Sequence, residues 1–214
     1  GLDGLAGGLS AIAFAVFGVI AYLTGLPILA TFCFLVVASL LSFLWFNVPP
    51  ASIFMGDSGS LFLGFSLAAL AITGQGEHTT NIFFAMLIPV LVLAVPIFDT
   101  TFVALLRFFN GRAISQGGRD HSSHCLVAFG LSERTTVLLF YGMSIFCGFV
   151  ALLGLQFSML YPSILAILIV LILCYFGVFL SGIVSYGQKA EDSGKSSPGF
   201  TLNLFLMHKR RLGE

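Results

Sequence analysis

Charge is the scarcest property of this sequence. Only 8% of its 214 residues are charged, whereas 58% are apolar, and the mean hydropathy is +1.06. Ordinary soluble domains carry about 25% charged residues, so the composition excludes that class and indicates an integral membrane protein. The formal net charge is zero, which says nothing about nucleic acid, and we expect no nucleic-acid partner.

Cysteine chemistry and a targeting signal are also lacking. The four cysteines show no metal-ligand or disulfide spacing, so we interpret them as reduced thiols that act as small apolar side chains. No basic segment precedes the first apolar run, so no secretory signal is evident in it. No Asp-Asp pair occurs in the sequence either.

Six long apolar segments predict an all-α, polytopic integral membrane protein. A membrane-spanning helix needs about 20 apolar residues. The segments are about 5–24, 27–46, 60–74, 82–106, 135–157 and 162–186. Residues 1–186 thus form a predicted six-span region, and 187–214 form a basic cytoplasmic tail. The third span is short, which predicts that its first turn includes part of Gly56–Ser60.

Loop charges predict the orientation of these spans. Their alternation places residues 1–4, 47–59, 107–134 and 187–214 on one side, and that side holds every Lys and Arg of the chain. The positive-inside rule assigns this side to the cytoplasm. We therefore expect a multi-pass protein of the cytoplasmic (inner) membrane, with its polar loops and C-terminus in the cytoplasm.

The most informative polar segment is Asn47–Ser60, between the second and third spans. An acidic residue, two glycines and two serines cluster at Gly56–Ser60, where a membrane helix begins. A Gly-rich turn at a helix start presents backbone N–H groups to an anion, and a carboxylate there can hold Mg²⁺ on a phosphate. Phe54 precedes Asp57 by three residues, a spacing that could place it beside a bound base. An interfacial aromatic and a helix-capping Asp are the alternative.

Two further polar motifs lie on the same predicted side. Asp3 precedes a helix rich in small residues, where a helix-capping role is the simplest interpretation. His121 and His124 lie three residues apart, and with Arg119 they could bind phosphate oxygens or transfer a proton. A solvated polar loop is the alternative for this segment. Zinc is disfavoured, because no third ligand is evident.

Asp99 lies inside the fourth predicted span. It precedes Arg107 by eight residues, which places it about 12 Å deeper along a helix. A carboxylate at that depth is a functional candidate by default. A hydrogen bond to Thr100, Thr101 or a neighbouring helix is the competing interpretation, and we favour this structural role.

The three motifs, in this order, resemble the polyprenyl-phosphate N-acetylhexosamine-1-phosphate transferase family, in particular its bacterial undecaprenyl-phosphate N-acetylglucosaminyl-1-phosphate transferases. Asp3–Ala6 is similar to the end of the family motif D-G-[LI]-D-G-L. Pro50–Gly64 is similar to P-A-x-x-F-M-G-D-x-G-S-x-x-L-G, and Arg119–His124 resembles a variant of the histidine motif H-x-H-H. The resemblance covers residues 1 to about 135, and the last two spans match in hydropathy alone.

The resemblance implies a reaction and a set of roles. N-acetylhexosamine-1-phosphate would pass from a UDP-sugar to polyprenyl (undecaprenyl) phosphate, with release of UMP, in cell-envelope polysaccharide synthesis. The implied catalytic residues are Asp57, His121 and His124, with Asp57 holding Mg²⁺ or, alternatively, Mn²⁺. The implied substrate-binding residues are Asp3, Asn47, Phe54, Gly56, Gly59 and Arg119. The implied partners are UDP-N-acetylhexosamine, polyprenyl phosphate and the membrane, and a homodimer is left open.

Three departures from the family pattern bear on activity. The paired aspartates D-D-x-x-D and the first Asp of D-G-[LI]-D are absent, Ser123 stands where many members have His, and Cys125 stands where Arg is common. We therefore expect an N-terminally truncated chain that is inactive alone. The alternatives are a non-catalytic remnant and a small transporter or channel module, which Asp99 and the Gly/Pro-interrupted helices would suit.

Overall fold

Helices provide all the regular secondary structure in the part of the chain that the computed structural model describes. That part comprises residues 2–73, 82–109, 121–128, 130–156 and 164–178. The helices are α1 Leu5–Leu23, α2 Pro27–Asn47, α3 Gly56–Thr73, α4 Ile82–Val92, α5 Ala94–Phe109, α6 Ser122–Ala128, α7 Glu133–Gln156 and α8 Ile164–Val178. The predicted all-α, polytopic fold is confirmed.

Four of these helices, α1, α2, α3 and α7, are each long and apolar enough to cross a membrane, and α4 with α5 would make a fifth span. α3 begins at Gly56, so the prediction that its first turn includes part of Gly56–Ser60 is confirmed. The predicted sixth span, 162–186, is described only as the shorter helix α8. The predicted tail, 187–214, lies outside the described residues.

The predicted fourth span, 82–106, is not one straight helix. α4 ends at Val92, α5 begins at Ala94, and the two axes differ by 77°. The physical reason is Pro96, which has no N–H to donate to the carbonyl of Val92 and whose ring crowds that carbonyl. Proline is tolerated in the first turn of a helix, so a new helix begins just before it.

α1 is the central helix, with α2 on one side and α7 on another. Gly7 and Gly18 face α2, and Gly8 faces Tyr141 of α7. In a membrane the lipid is as apolar as the side chains, so helices associate through close packing, which small residues permit. The glycines of α1 therefore set how near its two neighbours can approach, and this spacing brings the polar ends of the helices together.

Gly8→Ala is expected to destabilise the contact between α1 and α7. An added Cβ would overlap the ring and hydroxyl group of Tyr141, and overpacking typically costs about 1–3 kcal/mol. The free energy of unfolding, measured with denaturant in detergent micelles, should fall by that amount. Gly142→Ala is the control, because the space around Gly142 in α7 is open and alanine favours a helix by up to about 1 kcal/mol. Unchanged stability of Gly8→Ala would contradict this packing.

Candidate functional site

Asn47 holds the segment that joins α2 to α3, residues 48–55, called the motif loop below. This asparagine is the last residue of α2 and is buried. Its amide oxygen accepts a hydrogen bond from the backbone N–H of Gly4 at 3.0 Å, and its amide nitrogen donates to the carbonyl of Ile53 at 2.7 Å. The side chain predicted to bind substrate thus fixes the loop to the start of α1.

Asp3 holds the same loop from the other side. Its carboxylate accepts a hydrogen bond from the backbone N–H of Ala51 at 3.1 Å. The helix-capping interpretation of Asp3 is wrong, because α1 begins at Leu5 after Gly4 and no side chain caps its first turn. Gly4 has a φ of +78°, which suits glycine, and this turn directs Asp3 towards the motif loop instead of the helix.

Two side chains of α7, which the sequence analysis did not identify, complete this network. Arg134 donates from Nη2 to the carbonyl of Pro49 at 2.9 Å, and the Tyr141 hydroxyl donates to the carbonyl of Gly4 at 2.6 Å. The sequence signal that could have identified them is their spacing of seven residues, or two helical turns, which places both on one face of α7. Together they bring the starts of α1 and α7 and the motif loop to one end of the helix bundle.

The residues predicted to bind the base and the metal are exposed at the start of α3. Phe54 is 74% exposed, and Asp57 lies exposed in the first turn of the helix. Gly56 has a φ of +67°, a conformation that glycine adopts without strain, and it turns the motif loop into the helix. Met55 lies against Gly59, so the absence of a side chain at Gly59 makes room for the methionine.

The chemistry of Asp57 fits the predicted Mg²⁺. Among the described residues, no side chain or backbone group bonds its carboxylate. Mg²⁺ is commonly held by one or two carboxylates together with waters and substrate phosphates. No cluster of three or more His, Cys, Asp or Glu suited to a metal occurs within the described ranges. Asp57 is therefore suited to be one ligand of a shared site and not part of a metal cage.

The histidine motif forms the start of a helix. His121 directly precedes α6, and its carbonyl accepts hydrogen bonds from the N–H groups of His124 and Cys125 at 2.9 and 3.1 Å. The centroids of the two imidazole rings are 6.5 Å apart. The solvated-loop interpretation is wrong for 121–128, because most of α6 is buried. Arg119, the predicted cationic partner, lies outside the described residues.

Asp99 of α5 binds the start of this helix. Its Oδ2 is 2.8 Å from Nδ1 of His121, and its Oδ1 accepts from the backbone N–H of Ser122 at 2.9 Å and from the Ser122 hydroxyl. Thr100 and Thr101 donate to carbonyls of their own helix instead. The predicted hydrogen bond from Asp99 to a neighbouring helix is confirmed, and its partner is the histidine motif.

Apolar packing joins the histidine motif to the other two. Leu2, Val127 and Val137 form a buried cluster, against which Leu5 and Tyr141 pack. α6 therefore contacts the starts of both α1 and α7. All three polar motifs lie at one end of the bundle, as the alternation of the loops predicted, and the assignment of that end to the cytoplasm stays a prediction.

Asn47→Ala is expected to destabilise the fold. It leaves the Gly4 N–H and the Ile53 carbonyl without their partner, at a cost of about 1–3 kcal/mol. The free energy of unfolding in detergent micelles should fall by that amount. Ser42→Ala is the control, because this exposed hydroxyl donates only within its own helix and surface changes stay within about 0.5 kcal/mol. Equal stability of the two variants would show that Asn47 does not hold the loop.

Comparison with known proteins shows which family this chain is similar to. A family model described as glycosyl transferase family 4 matches residues 1–75, which include the first two motifs. The probable undecaprenyl-phosphate N-acetylglucosaminyl 1-phosphate transferase of Bacillus subtilis (strain 168) is 40% identical over 185 residues, 86% of this chain and 51% of that protein. Over residues 1–75 the chain is similar to glycosyl transferase family 4.

Other proteins similar to this chain are phospho-N-acetylmuramoyl-pentapeptide-transferases. The one from Listeria monocytogenes serotype 4b (strain CLIP80459) is 40% identical over 149 residues, 68% of this chain and 43% of that protein. The one from Levilactobacillus brevis is 58% identical over 72 residues, which are 34% of this chain and 22% of that protein. The predicted resemblance is confirmed, and the similarity extends beyond the motifs that end near residue 135. The chain spans about half the length of the first two relatives.

Proposed function

We propose that the protein transfers N-acetylhexosamine-1-phosphate from a UDP-sugar to polyprenyl phosphate. The observation that carries the proposal is the placement of three polar motifs at one end of a bundle of apolar helices. The similarity to a probable undecaprenyl-phosphate N-acetylglucosaminyl 1-phosphate transferase supports it. A polar site at a membrane surface can receive a soluble nucleotide-sugar from water and a lipid phosphate from the bilayer.

The proposed reaction is an exchange of phosphate esters. A phosphate oxygen of the polyprenyl phosphate attacks the phosphorus that carries the sugar. A new P–O bond forms, the bond between that phosphorus and the bridging oxygen breaks, and UMP leaves with the bonding electrons. The products are polyprenyl-diphosphate-N-acetylhexosamine and UMP. In such transfers the protein acts mainly by positioning the reactants and by neutralising charge.

The motif loop and the start of α3 would bind the nucleotide. The ring of Phe54 is exposed and would stack on uracil. Backbone N–H groups at the start of α3, next to Gly56 and Gly59, suit phosphate oxygens, since the first N–H groups of a helix lack partners within it. Asp57 would hold Mg²⁺, or Mn²⁺ in its place, and the bound ion would supply positive charge to the diphosphate.

The histidine motif would bind the phosphate and sugar side of the substrate. His121 and His124 lie side by side at the start of α6, and Arg119 is proposed to add a positive charge next to them. We assign the cytoplasm to this end because the basic residues lie in the loops there. The product would then be made on the inner surface of the cytoplasmic membrane for cell-envelope polysaccharide synthesis.

Release of UMP tests the proposed function. The whole protein in nanodiscs should release UMP from UDP-N-acetylglucosamine only when undecaprenyl phosphate and Mg²⁺ are present, and should form a lipid that carries the labelled sugar. EDTA should stop the reaction, and added Mg²⁺ should restore it. Absence of turnover with every UDP-N-acetylhexosamine supplied, or UMP release that does not depend on lipid phosphate, would overturn the proposal.

The 214-residue chain by itself is expected to show no turnover in that assay. It contains no Asp-Asp pair, and the resemblance assigns such a pair to the active site. The chain should still fold in detergent, which helical circular dichroism and a cooperative unfolding transition would show. UMP release by the purified, folded chain would contradict this expectation.

A further inference from the structure

Asp99 has no role in the reaction proposed above, although its surroundings are those of a functional group. Its side chain is 19% exposed, whereas that of its partner His121 is 38% exposed. Ionisable side chains inside membrane helices are rare and typically functional. Among the described residues, this carboxylate makes three hydrogen bonds, and all of them go to His121 and Ser122 of the histidine motif.

The contact defines which nitrogen of the His121 ring is available to a ligand. An ionised carboxylate only accepts hydrogen bonds, so Nδ1 of His121 must carry the hydrogen that Asp99 accepts. Among the described residues, His121 makes no other side-chain hydrogen bond. Nε2 is therefore the ring nitrogen that remains available to a substrate. The His121 side chain is also more exposed than that of Asp99.

We propose that Asp99 is a positioning residue that fixes the tautomer and orientation of His121 for the transfer reaction. This inference rests on the proposed function. Oδ2 holds Nδ1, while Oδ1 holds the N–H and hydroxyl of Ser122, so that the imidazole and the start of α6 are oriented as one unit. Asp99 itself does not touch the substrate; it keeps Nε2 of His121 directed away from α5 and towards the phosphate side of the site.

The tautomer can be measured in the unmutated protein. With ¹⁵N-labelled histidine, the ring nitrogens of His121, assigned by the signals lost in His121→Gln, should show hydrogen on Nδ1 at a pH where the ring is neutral. This measurement needs no turnover and no Asp99 variant. A neutral ring with hydrogen on Nε2 would overturn the inference, whatever the activity of the protein.

Substitution then separates positioning from a merely structural role. Asp99→Asn keeps the shape but presents an amide N–H₂ or C=O to Nδ1, so the tautomer is no longer held on Nδ1. We expect kcat to fall about 10–100-fold, by analogy with the loss seen when the hydrogen-bond partner that orients a metal-binding histidine is removed, with little change in the KM for UDP-sugar. Ser122→Ala retains the contact to His121 and should keep both the Nδ1–H tautomer and most of kcat.

Thr101→Val is the matched control, because this exposed hydroxyl lies two residues away on α5 and donates only to its own helix. It should keep wild-type kcat. If Asp99→Asn lowers kcat no more than Thr101→Val, or if Ser122→Ala lowers kcat as much as Asp99→Asn, Asp99 does not act through His121. If the whole protein, without substitutions, shows the Nδ1–H tautomer and no turnover, the proposed function is overturned and the Asp99–His121 contact stands.

Discussion

Asp57→Asn is expected to abolish Mg²⁺-dependent turnover in the whole protein while the fold survives. The carboxylate is exposed and has no partner among the described residues, so its replacement by an amide disturbs no contact of that part of the chain. An amide binds Mg²⁺ far more weakly than a carboxylate. Metal ions contribute several kcal/mol to charge stabilisation, so kcat/KM should fall by about 10³-fold or more.

The measurement is UMP release over a range of Mg²⁺ concentrations, with unfolding followed in parallel. Thr73→Val is the control, since this exposed hydroxyl at the far end of the same helix donates only to a carbonyl one turn earlier. Wild-type kcat/KM in Asp57→Asn would remove Asp57 from the metal role. Loss of turnover together with loss of the cooperative unfolding transition would instead make Asp57 a structural residue.

Phe54→Ala is expected to raise the KM for the UDP-sugar. Stacking of an aromatic side chain on a base contributes about 1–3 kcal/mol, which corresponds to a change of about 5- to 150-fold. Since the lost contact is equal in the ground state and the transition state, kcat at saturating UDP-sugar should change much less. Stability should be nearly unaffected, because Phe54 is 74% exposed.

Phe65→Ala is the matched control for Phe54→Ala. Phe65 is 75% exposed on α3, so its truncation removes the same amount of exposed aromatic surface from the outside of the bundle. Phe54→Trp should retain a low KM because it retains a stacking surface. An unchanged KM in Phe54→Ala, or the same increase in Phe65→Ala, would show that the ring does not bind the base.

The features that could be predicted from sequence are those that depend only on residues close together in the chain. Runs of about 20 apolar residues predict spans, and most of the predicted bounds agree with the helices to within a few residues. The Gly-Asp turn at Gly56 and Asp57 is also local, so the start of α3 was anticipated. The prediction of one straight helix for the fourth span was wrong, because Pro96 lacks the N–H that would continue the helix, although the residues on both sides are apolar.

The contacts that sequence analysis missed join residues far apart in the chain. Asp3 was expected to cap its own helix, but its carboxylate accepts a hydrogen bond from the N–H of Ala51, 48 residues away. Arg134 and Tyr141 donate to backbone carbonyls. Every residue has such a carbonyl, so the sequence does not indicate which one will be the acceptor. A hydrogen bond from Asp99 to a neighbouring helix could be proposed from sequence, whereas the identity of its partner depends on where α6 packs.

The hydrogen bonds of α7 have a consequence for the order of folding. Those that hold the motif loop and the start of α1 to each other span 43 and 48 residues, whereas those that hold them to α7 span 85 and 137. Contacts between distant residues form slowly, and chains emerge from the ribosome N-terminus first. The first three helices are therefore made well before Tyr141 is available. The hydrogen bonds from α7 to the motif loop and to the start of α1 can form only after α7 has entered the membrane. The polar end of the bundle is therefore completed late in biogenesis.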